Sequence, residues 1–192
     1  MKEIEILVEI QEHNPKLILN TLKKFKYNGE QQVIDTYYYD PLRQTLKPHQ
    51  DNKLYSCFRI REKNGKTYIT YKDDVYENSI WQYSDEYETT VNDKDIIKSI
   101  INKLGLETLI ILSSKKTFYS YNQYEIIFEE VENLGFFLEV ELQYDSELSN
   151  YKEEKIKIQN FIDSLNLNVS QELNSGKPEL YIKKHNLYNL IK

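Results

Sequence analysis

Glutamates two residues apart, Glu3 with Glu5 and Glu139 with Glu141, and arginines at the same spacing, Arg59 with Arg61, are the side chains of this sequence best placed to do chemistry together. Side chains at i and i+2 of a strand share a face. Each pair therefore projects two like charges on one side, while Ile4, Ile6 and Val8, Phe58 and Ile60, or Leu138, Val140 and Leu142 project on the other. Paired carboxylates suit a hard divalent cation such as Mg²⁺ or Mn²⁺, which takes oxygen ligands from one or two carboxylates, phosphate and water. Arginine forks match phosphate oxygens two at a time. Two cations ~5 Å apart at an effective dielectric of about 20 repel by roughly 3 kcal/mol, so such a face needs carboxylates or a polyanion beside it. A solvated sheet face accounts for any one pair. Several pairs of both signs in one small chain point instead to a polar interior that holds a metal ion and an anion together.

Other residues extend these pairs. The segment carrying Arg59 and Arg61 runs through Asn64-Gly65, a strong two-residue hairpin signal, into Thr70-Tyr-Lys72. In register, Lys72 joins the arginines. Glu86 and Glu88 form a further same-face pair, either a solvated strand face or counter-charges to the arginines among the substrate-binding residues. Of Lys115 and Lys116, only one can point inward, and the spacing from Phe118 selects Lys116. The three histidines are scattered, which argues against zinc, and no serine, cysteine and histidine arrangement suggests a nucleophile. With five glycines and no glycine-rich loop, P-loop and dinucleotide-fold readings fail.

Period-2 alternation marks strands at about Glu3–Ile10, Val33–Tyr39, Tyr55–Glu62, Lys66–Lys72, Trp81–Val91, Ile111–Tyr121, Tyr124–Val131 and Phe136–Tyr144. Helices are expected after Asn14-Pro15, after Asp93 up to Gly105, after Asn150, and from Pro178, each with an apolar stripe. The predicted class is α+β: eight antiparallel strands closed into a barrel, helices packed outside and charges lining a tunnel. The polar loop Asp40–Leu54 forms part of a rim.

At 192 residues and without a linker or repeat, residues 1–192 read as one domain. A net charge of -6 gives no overall attraction to nucleic acid or an anionic membrane, so any anion site comes from local clustering. One cysteine, Cys57, excludes an internal disulfide and fits a reducing compartment. No long apolar run is present, and a soluble cytoplasmic protein is expected.

Taken in order, Glu3-Ile-Glu5, Asp35-Thr-Tyr37-Tyr-Tyr-Asp40, Phe58-Arg-Ile-Arg61 with Gly65 and Thr70-Tyr-Lys72, Glu86-Tyr-Glu88, and Phe128-Glu-Glu-Val-Glu-Asn-Leu-Gly135-Phe-Phe-Leu-Glu139-Val-Glu141 resemble the motifs of the CYTH domain. This is the family of triphosphate tunnel metalloenzymes, which includes class IV adenylyl cyclases and thiamine triphosphatases. The resemblance implies a tunnel that binds a triphosphate through Arg59, Arg61, Lys72 and Lys116. It implies one or two Mg²⁺ or Mn²⁺ ions held by Glu3, Glu5, Glu139 and Glu141, with Glu5 and Glu141 as direct ligands. Two positions depart from the family pattern: Leu7 and Ser114 stand where lysines are usual. Lys177, before the last helix, is a candidate replacement charge at the tunnel mouth.

Three functions fit. The first is a phosphorus-oxygen lyase like the class IV adenylyl cyclases, in which the ribose 3′-oxygen of ATP attacks the α-phosphorus and pyrophosphate leaves. The second is a triphosphatase acting on inorganic, nucleoside or thiamine triphosphate, and the third a non-catalytic binder of a phosphorylated ligand. Members of the family are often homodimers.

Overall fold

A computed structural model describes residues 2–44, 46–144 and 150–190. Eight strands run β1 (Lys2–Glu9), β2 (Lys26–Tyr39), β3 (Ser56–Lys63), β4 (Lys66–Glu77), β5 (Ile80–Val91), β6 (Glu107–Tyr121), β7 (Tyr124–Val131) and β8 (Gly135–Tyr144). They close into a barrel in the order β1-β5-β4-β3-β2-β6-β7-β8, with every neighbouring pair antiparallel. Closure leaves no unpaired edge, which an antiparallel sheet with one charged face requires once the other face is covered.

The hairpins follow their turn chemistry. Asn64 and Gly65 both take positive φ, 51° and 70°, between β3 and β4, as a tight turn demands. Asn122 and Asn133 take φ of 53° and 59° in the β6–β7 and β7–β8 turns. Strand β2 begins at Lys26, well before the expected Val33, because Lys26–Gln32 carries no apolar alternation and is held by cross-strand pairing with β6. Strands β4 and β6 are likewise longer than their alternation suggests, reaching Glu77 and starting at Glu107.

Among the described residues there are four α-helices, α1 (Ile18–Leu22, after a 3-10 turn at Pro15–Leu17), α2 (Lys94–Lys103), α3 (Tyr151–Ser164) and α4 (Lys177–Lys184), and a second 3-10 turn at Leu187–Leu190. Asp93 caps α2 by accepting from the N–H groups of Asp95 and Ile96. On the outer wall, Ile18 and Leu22 of α1 and Ile158 and Ile162 of α3 bury Ile4, Ile6, Val8, Leu138 and Val140. Ile101 of α2 covers Tyr38 and Ile60. Helix α4 sits differently. Its Ile182 joins Leu7, Tyr37, Leu112 and Phe137, side chains whose strand parity places them inside the bore. It therefore closes one end of the barrel as a plug, helped by Leu54 from the expected rim loop, whose N–H donates to Glu179. No described helix is long and apolar enough to cross a membrane.

Candidate active site

Alternation around the closed barrel brings one face of every strand to a common cavity. Its lining includes Glu3 and Glu5, Asp35, Arg59 and Arg61, Lys72, Glu86 and Glu88, Lys116, Glu129, Glu139 and Glu141. The β3–β4 register sets Arg59 opposite Thr70 and Cys57 opposite Lys72, so the two arginines and Lys72 share one face, as the hairpin predicts. Lys116 also points inward, to Glu129 at 3.4 Å, while Lys115 points out to Glu30.

The carboxylates divide into two sets. Glu3, Glu5 and Glu141 each offer an oxygen, and the three oxygens lie within 4.8 Å of one another, all buried. Glu5 and Glu141 are directly opposed in the β1–β8 ladder. Burial, then Glu139 and Glu3, push the Glu5 carboxyl up to about 8, only partly offset by Lys72. Burial followed by Glu3, Glu139 and Glu5 raises Glu141 well above the ordinary carboxylate range. Three crowded, desolvated carboxylates form a hard oxygen donor set with too little positive charge around it, which is the chemistry of a divalent-cation site. Glu139, expected among the ligands, lines the same cavity but ion-pairs with Lys177, and although burial pushes its carboxyl up, Lys177 and Lys116 hold it well below its ordinary value.

The basic wall is equally organised. Arg61 donates from Nε and Nη2 to the two oxygens of Asp35, both at 2.8 Å. Against the upward push of burial, Arg61 and then Arg59 hold the Asp35 carboxyl far below the ordinary range. Arg59 lies 4.0 Å from both Asp35 and Glu86, and donates to Tyr37 Oη. Lys72 ion-pairs with Glu3, lies 2.8 Å from Glu86 and 3.8 Å from Glu5, and so links the two walls. Glu88 accepts from Thr70 Oγ1 and faces Lys63 at 3.8 Å. Glu86 and Glu88 are thus counter-charges to the cations rather than members of the carboxylate triad.

Lys177 enters from the first turn of α4 and ion-pairs with Glu129, at 2.5 Å, and with Glu139. Leu7 is the residue directly opposite Glu139 in the ladder. Lys177 thus brings a cation from the plug to the carboxylate that lies across the ladder from Leu7. Asp35 and Glu129 were not among the expected site residues. Both continue the inward alternation of their strands, Val33-Asp35-Tyr37 and Glu125-Ile127-Glu129, which is the signal that would have selected them.

Asp74, two residues beyond Lys72 on the same face, is raised by burial to about 7, with Ser84 Oγ donating to it at 2.6 Å. An unfolded aspartate titrates near ~3.9, so the folded chain holds this proton more tightly. Its stabilising contribution is complete below about pH 4 and is lost as pH rises through 7. Asp74→Asn is therefore expected to match wild type near pH 4 and to exceed its stability by a margin that grows by up to about 1.4 kcal/mol per pH unit toward pH 7. Urea denaturation across that range measures the margin; parallel profiles would show that Asp74 titrates normally.

Comparison with known proteins agrees with this geometry. The chain is 27% identical over 175 residues, 90% of its length and 93% of the relative's, to a Methanocaldococcus jannaschii protein named "Putative adenylate cyclase MJ0240". It superposes on the PH1819 protein of Pyrococcus horikoshii with a TM-score of 0.78 at 22% identity, covering 95% of this chain and 99% of the other. A Hippeastrum protein, HpAC1, described as a putative adenylyl cyclase with a dominant triphosphatase activity, gives a TM-score of 0.63 at 13% identity, covering 99% of this chain and 96% of that one. The family model of the CYTH domain matches residues 1–168, spanning all eight strands and the carboxylates and arginines of the bore, and the chain belongs to that family.

Proposed function

We propose that this protein is a divalent-metal-dependent enzyme acting on a triphosphate held in the bore, and that its reaction is the conversion of ATP to cyclic AMP and pyrophosphate. The carrying observation is the separation of charge across one cavity: Glu3, Glu5 and Glu141 converge on one wall, and Arg59, Arg61 and Lys72 stand on the strands that face it. Lys116 and Lys177 add cations toward the plug. Glu5 and Glu141 would hold Mg²⁺ or Mn²⁺ directly, with Glu3 as third carboxylate and Glu139 outside the set. The bound ion would neutralise phosphate oxygens as charge develops on them.

The chain's own residues do the rest. Arg59 and Arg61 present forks to phosphate oxygens in a site closed to bulk water on the plug side, where fixed donors act strongly. Asp35 and Tyr37 hold those forks before substrate arrives, so little reorganisation is needed. Lys72 is placed to pass from Glu3 and Glu86 to a phosphate oxygen.

Hydrolysis is the second reading. The same neutralised triphosphate serves water as nucleophile, and the Hippeastrum relative described as having a dominant triphosphatase activity shares the fold. Product analysis by mass spectrometry, with ATP, GTP, thiamine triphosphate and inorganic triphosphate each offered with Mg²⁺ and Mn²⁺, tests both. Cyclic AMP with pyrophosphate supports the cyclase, orthophosphate without cyclic product supports the hydrolase, and no metal-dependent product from any of them overturns the proposal.

A further inference from the structure

Helix α2 is apolar around more of its circumference than the barrel covers. Ile101 packs on Tyr38 and Ile60, with Ile97 beside it. Ile96 and Ile100, together with Leu104 at the C-cap, form an adjacent row at four-residue spacing and stay 60%, 48% and 67% exposed. A surface helix ordinarily turns a polar face to water. The exposed apolar surface continues onto the wall of the barrel. Thr36 of β2 stands opposite Ile60 on one side and Ile111 of β6 on the other, so Ile111 lies two strand spacings, about 10 Å, from the residue that Ile101 covers. Ile111 is exposed, and so is Ile34, which pairs with the Glu62 that anchors Lys94 and Lys98 of α2. Five large apolar side chains grouped in this way mark an interaction surface, whereas singly scattered ones would not.

The charges along α2 say what covers it. Asp95, Ser99 and Lys103 form the next row, again four residues apart and all exposed. The row is acidic at its start, small in its middle and basic at its end. Ser99 turns its hydroxyl back to the Asp95 carbonyl at 2.8 Å, beside a shallow groove that Ile96 and Ile100 also line. A two-fold axis through the middle of α2 sets the helix antiparallel to its own copy, and each row then meets itself reversed. Asp95 of each copy faces Lys103 of the other, Ile96 faces Leu104, and Ile100 meets Ile100. Ser99, at the centre, lets the two backbones approach. The antiparallel arrangement also opposes the two helix dipoles. A partner of a single charge sign would match one end of the row and be repelled by the other.

We propose that this face is a two-fold contact between two copies of the chain, built on antiparallel α2 helices with Ile34 and Ile111 at its edge. It lies on the outside of the barrel, so it stands or falls independently of the reaction assigned to the bore.

Sedimentation velocity at micromolar concentration and low salt is expected to show a dimer. Ile100→Asp is expected to give a folded monomer by sedimentation and circular dichroism, because this half-exposed side chain leaves the core intact. Asp95→Lys alone and Lys103→Glu alone each set two like-charged pairs across the axis, and each is expected to weaken the dimer about tenfold. The double variant reverses the row and restores its self-match, and its affinity is expected to return to within about threefold of wild type. A wild-type chain that stays monomeric up to about 100 μM would overturn the proposal and leave the face to a different partner. A dimer that survives Ile100→Asp would overturn it by placing the contact elsewhere. A double variant no tighter than the single ones would overturn the antiparallel pairing on which the choice of a second copy rests.

Discussion

Glu5→Gln is expected to lower metal-dependent turnover by about a thousandfold, the several kcal/mol that a correctly held divalent ion contributes to stabilising charge in the transition state. The substitution keeps size and shape and removes one charge from a triad whose oxygens lie within 4.8 Å of one another. It should weaken Mg²⁺ binding by calorimetry at least tenfold, and Glu141→Gln should behave alike, because the two residues oppose each other across the β1–β8 ladder. A second readout has the opposite sign. Without metal, the variant should be the more stable protein at pH 8, because the crowding that raises Glu5 to about 8 is relieved. Unchanged Mg²⁺ affinity together with unchanged metal-free stability would show that these carboxylates form no common site.

Asp35→Ala should have the largest effect on stability. Asp35 and Arg61 form a two-point pair with side chains 9% and 13% exposed. Removing one partner of such a pair strands the other charge and costs about 3–5 kcal/mol. Two features separate this loss from ordinary core damage. The loss should shrink when triphosphate is added, because phosphate oxygens can take the vacated positions on the Arg61 fork. The ligand-induced rise in melting temperature should therefore exceed that of wild type. An equal rise in both proteins would mean that Arg61 does not meet the anion.

The alternation of charge with β-branched and aromatic residues was enough to read the barrel, because a strand with charges on one face and Ile4, Ile6 and Val8 on the other has few ways to satisfy both. Arg59, Arg61 and Lys72 were legible for a local reason: the Asn64-Gly65 turn fixes their register. The partition of the carboxylates was not. Glu3, Glu5, Glu139 and Glu141 look equivalent in sequence, and only the stagger of the strands around the closed barrel decides that three converge while Glu139 meets Lys177. The position of α4 was hidden for a similar reason. An apolar stripe of Leu180, Tyr181, Leu187 and Leu190 reads the same whether it covers a wall or an end, and residues that pack with α4, Leu7, Leu112 and Phe137, come from three separate strands.

One bore cation belongs to a helix rather than to the barrel wall. When Lys177 is in place, Glu129 and Glu139 are neutralised. Without Lys177, Glu139 would lose its ion-pair partner, while Glu129 would keep Lys116 at 3.4 Å. Any coupling between the packing of α4 and the capture of phosphate would have to be reciprocal, each tightening the other by the same factor. A survey that scores only the strands would count this protein two charges short, at Leu7 and Ser114, and would miss the cation that α4 carries into the bore.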